Sequence, residues 1–254
     1  MLITIEGPDL SGKSSAIELI KNFLTEKAKE AEIEIVVEQT NAIDERNIFG
    51  QITRKLLKDE EILIQHNNDE NSGTVQLINN KNTPRWALQL YMVLCRLYND
   101  TYWNHKDSLV IIDRGNLSTI LYGELDGYRD LVLQTSVLEQ PSDYLIILNA
   151  PACVLIENFT KRIDKKKEIY DNEIEDVLKN SQMYHNALPK ISKTEFGIYY
   201  TTGMAFVKLA NKDFYYLNYP VESASHYFRK RDEDLLKICE QIWSDYETKH
   251  FKSQ

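Results

Sequence analysis

Residues 2–15 read Leu-Ile-Thr-Ile-Glu-Gly-Pro-Asp-Leu-Ser-Gly-Lys-Ser-Ser. The first five, 2–6, are a short apolar run with the character of a strand. The residues that follow, 13–30, place Ala16, Ile17, Leu19, Ile20, Phe23 and Leu24 at helical spacing. Between them, Gly7 to Ser14 spell G-x-x-x-x-G-K-S, and that order of strand, glycine loop and helix gives the pattern its meaning. Glycines permit a tight turn and a close approach of backbone N–H groups to phosphate oxygens. The helix behind the loop points its positive end at the same anion. In this pattern Gly7, Ser11, Gly12, Lys13, Ser14 and Ser15 line a nucleoside triphosphate. Lys13 reaches its β/γ-phosphates and the Ser14 hydroxyl ligates Mg²⁺.

Working outward, apolar runs at 33–38, 109–113, 144–149 and 214–219 read as further strands, and 48–58, 85–103, 151–162 and 231–249 as helices. Leu88, Tyr91, Met92, Cys95 and Leu97 form the apolar face of the third helix, and Leu235, Leu236, Ile238, Ile242 and Trp243 that of the last. Strands alternating with helices predict one α/β domain over residues 1–254, with a mostly parallel, five-stranded central sheet between helical layers. Residues 64–83, rich in Asn, Asp, Ser and Gly, read as an exposed loop insertion. Residues 190–213 form a second probable insertion, with no element assigned to it.

Composition sets limits around this core. The 254 residues are 43% hydrophobic and 27% charged, enough for a sizeable core. Thirty Lys and Arg against 39 Asp and Glu give a net charge of −9, which argues against a general nucleic-acid surface and makes any anion site local. No apolar run is long enough for a membrane span. The opening residues show no signal-peptide pattern, and Cys95, Cys153 and Cys239 are widely spaced, so a reducing cytoplasm is the expected setting.

The strand at 109–113 ends in Asp113, followed at once by Arg114. In an open parallel sheet that position lies in the ligand crevice, where Asp113 can serve Mg²⁺ and Arg114 a phosphate. No N-K-x-D segment of the kind that reads guanine is present.

Five stretches together resemble the thymidylate kinases, a family of P-loop nucleoside monophosphate kinases. They are Ile5-Glu-Gly-Pro-Asp-Leu-Ser-Gly-Lys-Ser-Ser15, the Glu38 segment, Gly50-Gln-Ile-Thr-Arg54-Lys-Leu-Leu, the helix 87–101 carrying Arg96, and Asp113-Arg-Gly-Asn-Leu-Ser-Thr-Ile-Leu-Tyr-Gly123. The resemblance covers about residues 1–188. It implies ATP-dependent conversion of dTMP to dTDP with Mg²⁺, in a homodimer formed through helices flanking the sheet. It places Arg54 and Arg96 on the acceptor phosphate and Arg114 beside the transfer path. Asp9 falls at the deoxyribose 3′-OH or a Mg²⁺ water, Glu38 at the acceptor pocket, Thr119 at the base and Tyr122 against the sugar. The lid falls at 161–172, with Arg162 its leading cation and Lys165, Lys166 and Lys167 behind, and Pro220-Val221-Glu222 falls at the adenine loop. The sequence departs from the family in three places. Met92 stands where a Phe stacks on thymine, Gly115 follows Asp-Arg in place of Tyr or His, and Leu10 replaces a loop arginine found in some members. A kinase of deoxynucleosides or of another pyrimidine nucleotide, with Glu38 as base on a hydroxyl acceptor, is the nearest alternative. A nucleotide-binding regulatory module without turnover is another.

Overall fold

A computed structural model describes residues 1–33, 36–41, 43, 45–58, 60–66, 74–78, 83–102, 108–161, 173–202 and 205–251. In chain order these form β1 (Leu2–Glu6), α1 (Lys13–Glu30), β2 (Val37–Asn41), α2 (Ile48–Leu57), β3 (Ile62–His66), β4 (Thr74–Ile78), α3 (Arg85–Tyr102), β5 (Leu109–Asp113), α4 (Asn116–Leu125), α5 (Arg129–Ser136), β6 (Ser142–Leu148), α6 (Ala152–Thr160), α7 (Ile174–Ala187), β7 (Ile191–Thr194), β8 (Gly197–Thr202), β9 (Ala205–Leu217) and α8 (Ala224–Phe251).

Among the described residues the main sheet runs β2-β5-β1-β6-β9-β8-β7. The first five strands are parallel, as the alternating pattern predicts. The other two are antiparallel and come from 190–213, the stretch given no element from sequence. Thus the five-stranded parallel sheet is extended at one edge to seven strands. β9 serves both parts: its last residues pair in parallel with β6, and its earlier ones run antiparallel to β8.

The central strands are buried on both faces, so they need continuous apolar runs, which Leu109–Ile112 and Tyr144–Leu148 supply. One face is covered by α1 and α8. Ala16, Ile17, Ile20, Leu24 and Ala28 meet the sheet together with Leu235, Ile238, Cys239, Ile242, Trp243 and Tyr246. Each fully buried Leu or Ile there contributes about 1.5–3 kcal/mol. Leu236, expected inward, is 42% exposed, because the inward stripe follows 235, 238/239, 242 and 246 and leaves it on the other side.

Two further expectations are corrected. The second strand is Val37–Asn41, not 33–38, because its pairing is set by the fixed length of β5, from Val37 opposite Leu109 to Asn41 opposite Asp113. Residues 64–83 are not simply a loop. β3 and β4 form a separate antiparallel pair, with Ile62 opposite Ile78 and His66 opposite Thr74. The segments Ile-Leu-Ile-Gln-His and Thr-Val-Gln-Leu-Ile carried a strand signal that the polar residues between them obscured.

Candidate active site

The carboxyl ends of β1, β5 and β6 form a crest, and two helix N-termini point into it. Their treatment differs. At α4, the buried carboxyl group of Glu6 accepts from the N–H groups of Gly115 (2.8 Å) and Ser118 (3.1 Å), and from the Ser118 hydroxyl. That helix end is closed by a residue of the chain. At α1 the N-cap is Gly12, with no side-chain cap and no acidic residue in the first turn. Its N-terminal N–H groups have no acceptor within the helix. A helix start left without a carboxylate is a site for an external anion.

The loop from Gly7 to Gly12 is held in a shape that only part of the sequence tolerates. Gly7 (φ +139°) and Gly12 (φ +87°) lie where L side chains are strained, and Leu10 adopts φ +66°. A Cβ on Gly7 would stand 2.1 Å from the Leu148 carbonyl oxygen, so the close approach itself requires glycine. The loop carbonyls are held by side chains, all but one of them from outside the loop. Gly7 O accepts from Lys13 Nζ (3.1 Å) and Arg114 Nη1 (3.0 Å), and Pro8 O from Ser11 Oγ (2.9 Å) and Lys13 Nζ (2.8 Å). Leu10 O accepts from Asn158 Nδ2 (2.9 Å), Ser11 O from the Tyr227 hydroxyl (3.4 Å), and Gly12 O from Arg231 Nη1 (2.9 Å). Leu10 packs on the cluster of Ala150, Val154, Leu155, Val177, Ala224 and Tyr227.

Lys13 is buried and its ammonium lies 3.7 Å from Asp9. Burial presses its pKa below the usual lysine value, and Arg114 adds to that. Asp9, Asp113 and Glu6 pull in the other direction. Arg114 carries φ +68° and donates to Asp9 Oδ1 (2.8 Å) and the Tyr184 hydroxyl (3.2 Å), with the Tyr122 ring 5.6 Å from its guanidinium. Burial is the largest influence and opposes its charge, but Asp9, Tyr122, Tyr184 and Asp113 together outweigh it, and Arg114 is held firmly protonated. Tyr184 also donates to Glu6 (3.0 Å) and shares a hydrogen bond with Ser118 (2.7 Å). Asp9, Lys13, Arg114 and Tyr122 therefore lie together. Glu6, Tyr184 and Arg231 were not anticipated. Tyr184 and Arg231 lie far along the chain from the loop motif. Glu6 stood within the quoted motif, where its role as the cap of α4 gave no sequence signal.

The chemistry of the donor set fits a divalent cation. Asp113 closes β5 at the crest, and its Oδ1 is fully buried with no hydrogen-bond partner. The Ser14 hydroxyl lies on the exposed first turn of α1, and Ser15 donates to Gly12 O (3.0 Å). Such an acceptor costs about 1–3 kcal/mol to leave unsatisfied, and a cation or its water shell would satisfy it.

Other expected residues lie differently. Arg96 is buried in α3 with both edges of its fork on Glu139, at 2.6 and 2.8 Å. Both edges of the guanidinium that was expected on the acceptor phosphate are here bonded to a carboxylate. Glu38 is opposite Val110, three residues short of the crest pair Asn41–Asp113, because the strand begins later than its apolar pattern suggested. It therefore does not close the strand at the pocket. Met92 packs with Leu56, Leu57 and Leu88 in the seam between α2 and α3, as a core side chain does. Arg54 stands on α2 beside Glu45 (3.3 Å), Thr119 is buried in the first turn of α4, and Val221 accepts from Cys153 close to the Leu10 cluster. Arg162, Lys165, Lys166, Lys167 and the Glu168–Asn172 segment lie outside the described residues.

No family model matches the sequence, and no curated protein matches it. Its fold is similar to that of solved kinases. The thymidylate kinase of Candida albicans is 15% identical, with a TM-score of 0.55 over 98% of this chain and 91% of that one. The thymidylate kinase of Ehrlichia chaffeensis is 16% identical, with a TM-score of 0.50 over 92% and 98%. A deoxyadenosine kinase from M. mycoides, 14% identical, gives 0.49 over 93% and 100%. At such identities the likeness is one of fold: an α/β architecture with a mostly parallel sheet flanked by helices.

Proposed function

We propose that the chain is a nucleotide kinase that transfers the γ-phosphoryl group of ATP to dTMP, yielding dTDP and ADP. The observation that carries the reading is the crest itself. An uncapped helix start follows a constrained glycine loop, and Lys13, Arg114 and Asp9 are gathered beside the unsatisfied oxygen of Asp113.

An acceptor phosphate oxygen attacks the γ-phosphorus in line. The new P–O bond forms as the bond to the β-phosphate bridging oxygen breaks, and ADP leaves. The acceptor is already an anion, so no general base is required. The chain's contribution is position and charge. N–H groups of the loop and of the first turn of α1 orient the triphosphate, and Lys13 and Arg114 meet the charge that builds on the transferring group. Mg²⁺, when bound, supplies charge neutralisation to the triphosphate, and Ser14 and Asp113 are the residues to hold it. In the same reading Asp9 aligns Arg114 and reaches the sugar or a Mg²⁺ water, and Tyr122 packs on the sugar. Thr119 meets the base, Arg54 approaches the acceptor phosphate, and Arg162 brings lid charge. The segment Pro220–Glu222 borders adenine. A homodimer through α3 belongs to this reading, since Trp86, Leu94 and Tyr98 are exposed along one side of that helix.

The Arg96–Glu139 pair favours a second acceptor class, because it removes one of the two expected phosphate-binding arginines. A deoxynucleoside, with no phosphate to clamp, is then the competing substrate. A coupled ADP-release assay with Mg-ATP against dTMP, dUMP, other deoxynucleoside monophosphates and thymidine decides between them. Turnover with dTMP is expected. Turnover with thymidine alone moves the substrate, and ATP binding without turnover on any acceptor refutes the kinase reading.

A further inference from the structure

Arg231 lies on the second turn of α8, more than 200 residues after the glycine loop, and only 2% of it is exposed. Its Nη1 donates to Gly12 O (2.9 Å) and to Ser15 Oγ (3.1 Å). Its Nε and Nη2 both hold Asp232 Oδ1, at 2.8 and 2.6 Å, and its face lies 4.8 Å from the centre of the Phe228 ring. A Cβ on Gly12 would lie 2.3 Å from Arg231 Nη1 and 2.6 Å from Phe228. The guanidinium thus presses on the bare Cα of the residue that turns the loop into α1.

Burying an arginine is costly unless every part of it is used. Here one edge is neutralised by Asp232 and one face is covered by Phe228. The remaining donor is spent on the N-cap carbonyl of α1 and on a hydroxyl of its first turn. Gly12 O also receives the first helical hydrogen bond, from Ala16 N (3.1 Å), so Arg231 fixes the carbonyl whose orientation sets where the N–H groups of that turn point. It stands behind the cradle and is too buried to meet a ligand directly.

We propose that Arg231 is a positioning residue for the donor triphosphate. By holding Gly12 in its left-handed conformation and steering Ser15, it pre-forms the anion cradle before ATP arrives. This rests on the reading of the loop as an ATP site. Lysine keeps the charge but cannot hold Gly12 O, Ser15 Oγ and Asp232 at once across a fork.

The test compares the wild-type chain with Arg231→Lys and Arg231→Gln. Mg-ATP binding is measured by calorimetry, KM and kcat are measured for each substrate, and thermal unfolding is followed in parallel. Arg231→Lys is expected to weaken ATP binding and raise the KM for ATP about tenfold, with the acceptor KM unchanged and melting within a few degrees of wild type. Arg231→Gln, if folded, should be weaker still. ATP affinity equal to wild type in Arg231→Lys overturns the proposal, as does an equal loss of affinity for both substrates in step with a fall in melting temperature. Failure of the wild-type chain to bind ATP would instead overturn the reading of the site.

Discussion

Replacing Glu139 by alanine separates a structural arginine from a substrate clamp. The Arg96 and Glu139 side chains are 8% and 3% exposed and bonded at two points. Burial opposes the charge on Arg96, but the charge and hydrogen bonds of Glu139, with Glu6 and Cys95 adding to them, more than offset it, and the arginine is held protonated. Glu139→Ala therefore leaves a buried cation without its counter-ion, which costs about 3–5 kcal/mol. At roughly 2–4 °C per kcal/mol for a chain of this size, the melting temperature should fall by about 6–20 °C. The double variant Arg96→Met/Glu139→Leu removes both charges, keeps the volume similar, and should return to within about 1–2 kcal/mol of wild type. Urea unfolding of the wild type, Arg96→Met, Glu139→Leu and the double variant gives the coupling energy, and the acceptor KM of the double variant gives the functional arm, expected to be within about twofold of wild type. A loss below about 1 kcal/mol in Glu139→Ala would refute the structural account. A large rise in acceptor KM in a well-folded double variant would return Arg96 to the substrate.

Lys13→Ala should lower kcat by at least about 10²-fold, as loss of a group aimed at developing charge does, while circular dichroism shows the fold retained. Gly7→Ala forces a side chain into backbone and into φ +139°, so it should destabilise the chain by about 1–3 kcal/mol or more and abolish ATP binding; an unchanged melting curve would contradict the loop geometry. Stability should fall as pH rises above about 9. Burial pushes the Cys239 thiol up to about 12 and raises the Tyr184 and Tyr227 phenols, whereas the unfolded chain releases these protons near 8.5 and 10. The stabilisation is full below those unfolded values and is lost towards the folded ones, by up to about 1.4 kcal/mol per pH unit for each group. Urea titrations at pH 8 and pH 11 should differ accordingly, and equal midpoints would contradict it.

The parallel core was legible because buried strands must be apolar throughout, and Leu109–Ile112 and Tyr144–Leu148 have no other use. The loop was legible because its strain demands glycine at fixed positions. Sequence misled where an element's limits are set by its partner. Val37–Asn41 is strand because β5 needs five residues opposite it, although Glu, Gln, Thr and Asn are poor advertisements for one. Arg96 shows the same limit for the site. Its place on α3 matched a pattern, but Glu139, 43 residues away, determines what it holds. Tyr184 and Arg231 reach the crest only through tertiary packing, and no local signal marks them.

The braces on the glycine loop have a consequence for synthesis. Ser11 waits for Tyr227 and Gly12 for Arg231, separations of 216 and 219 residues. At about 5–20 residues per second, a ribosome needs roughly 10–45 s to deliver the second half of that contact. A nascent chain exposes this constrained loop long before the residues that brace it. If the loop is an ATP site, capture by immobilised ATP would then report the emergence of α8, since Tyr227 and Arg231 both lie on that helix.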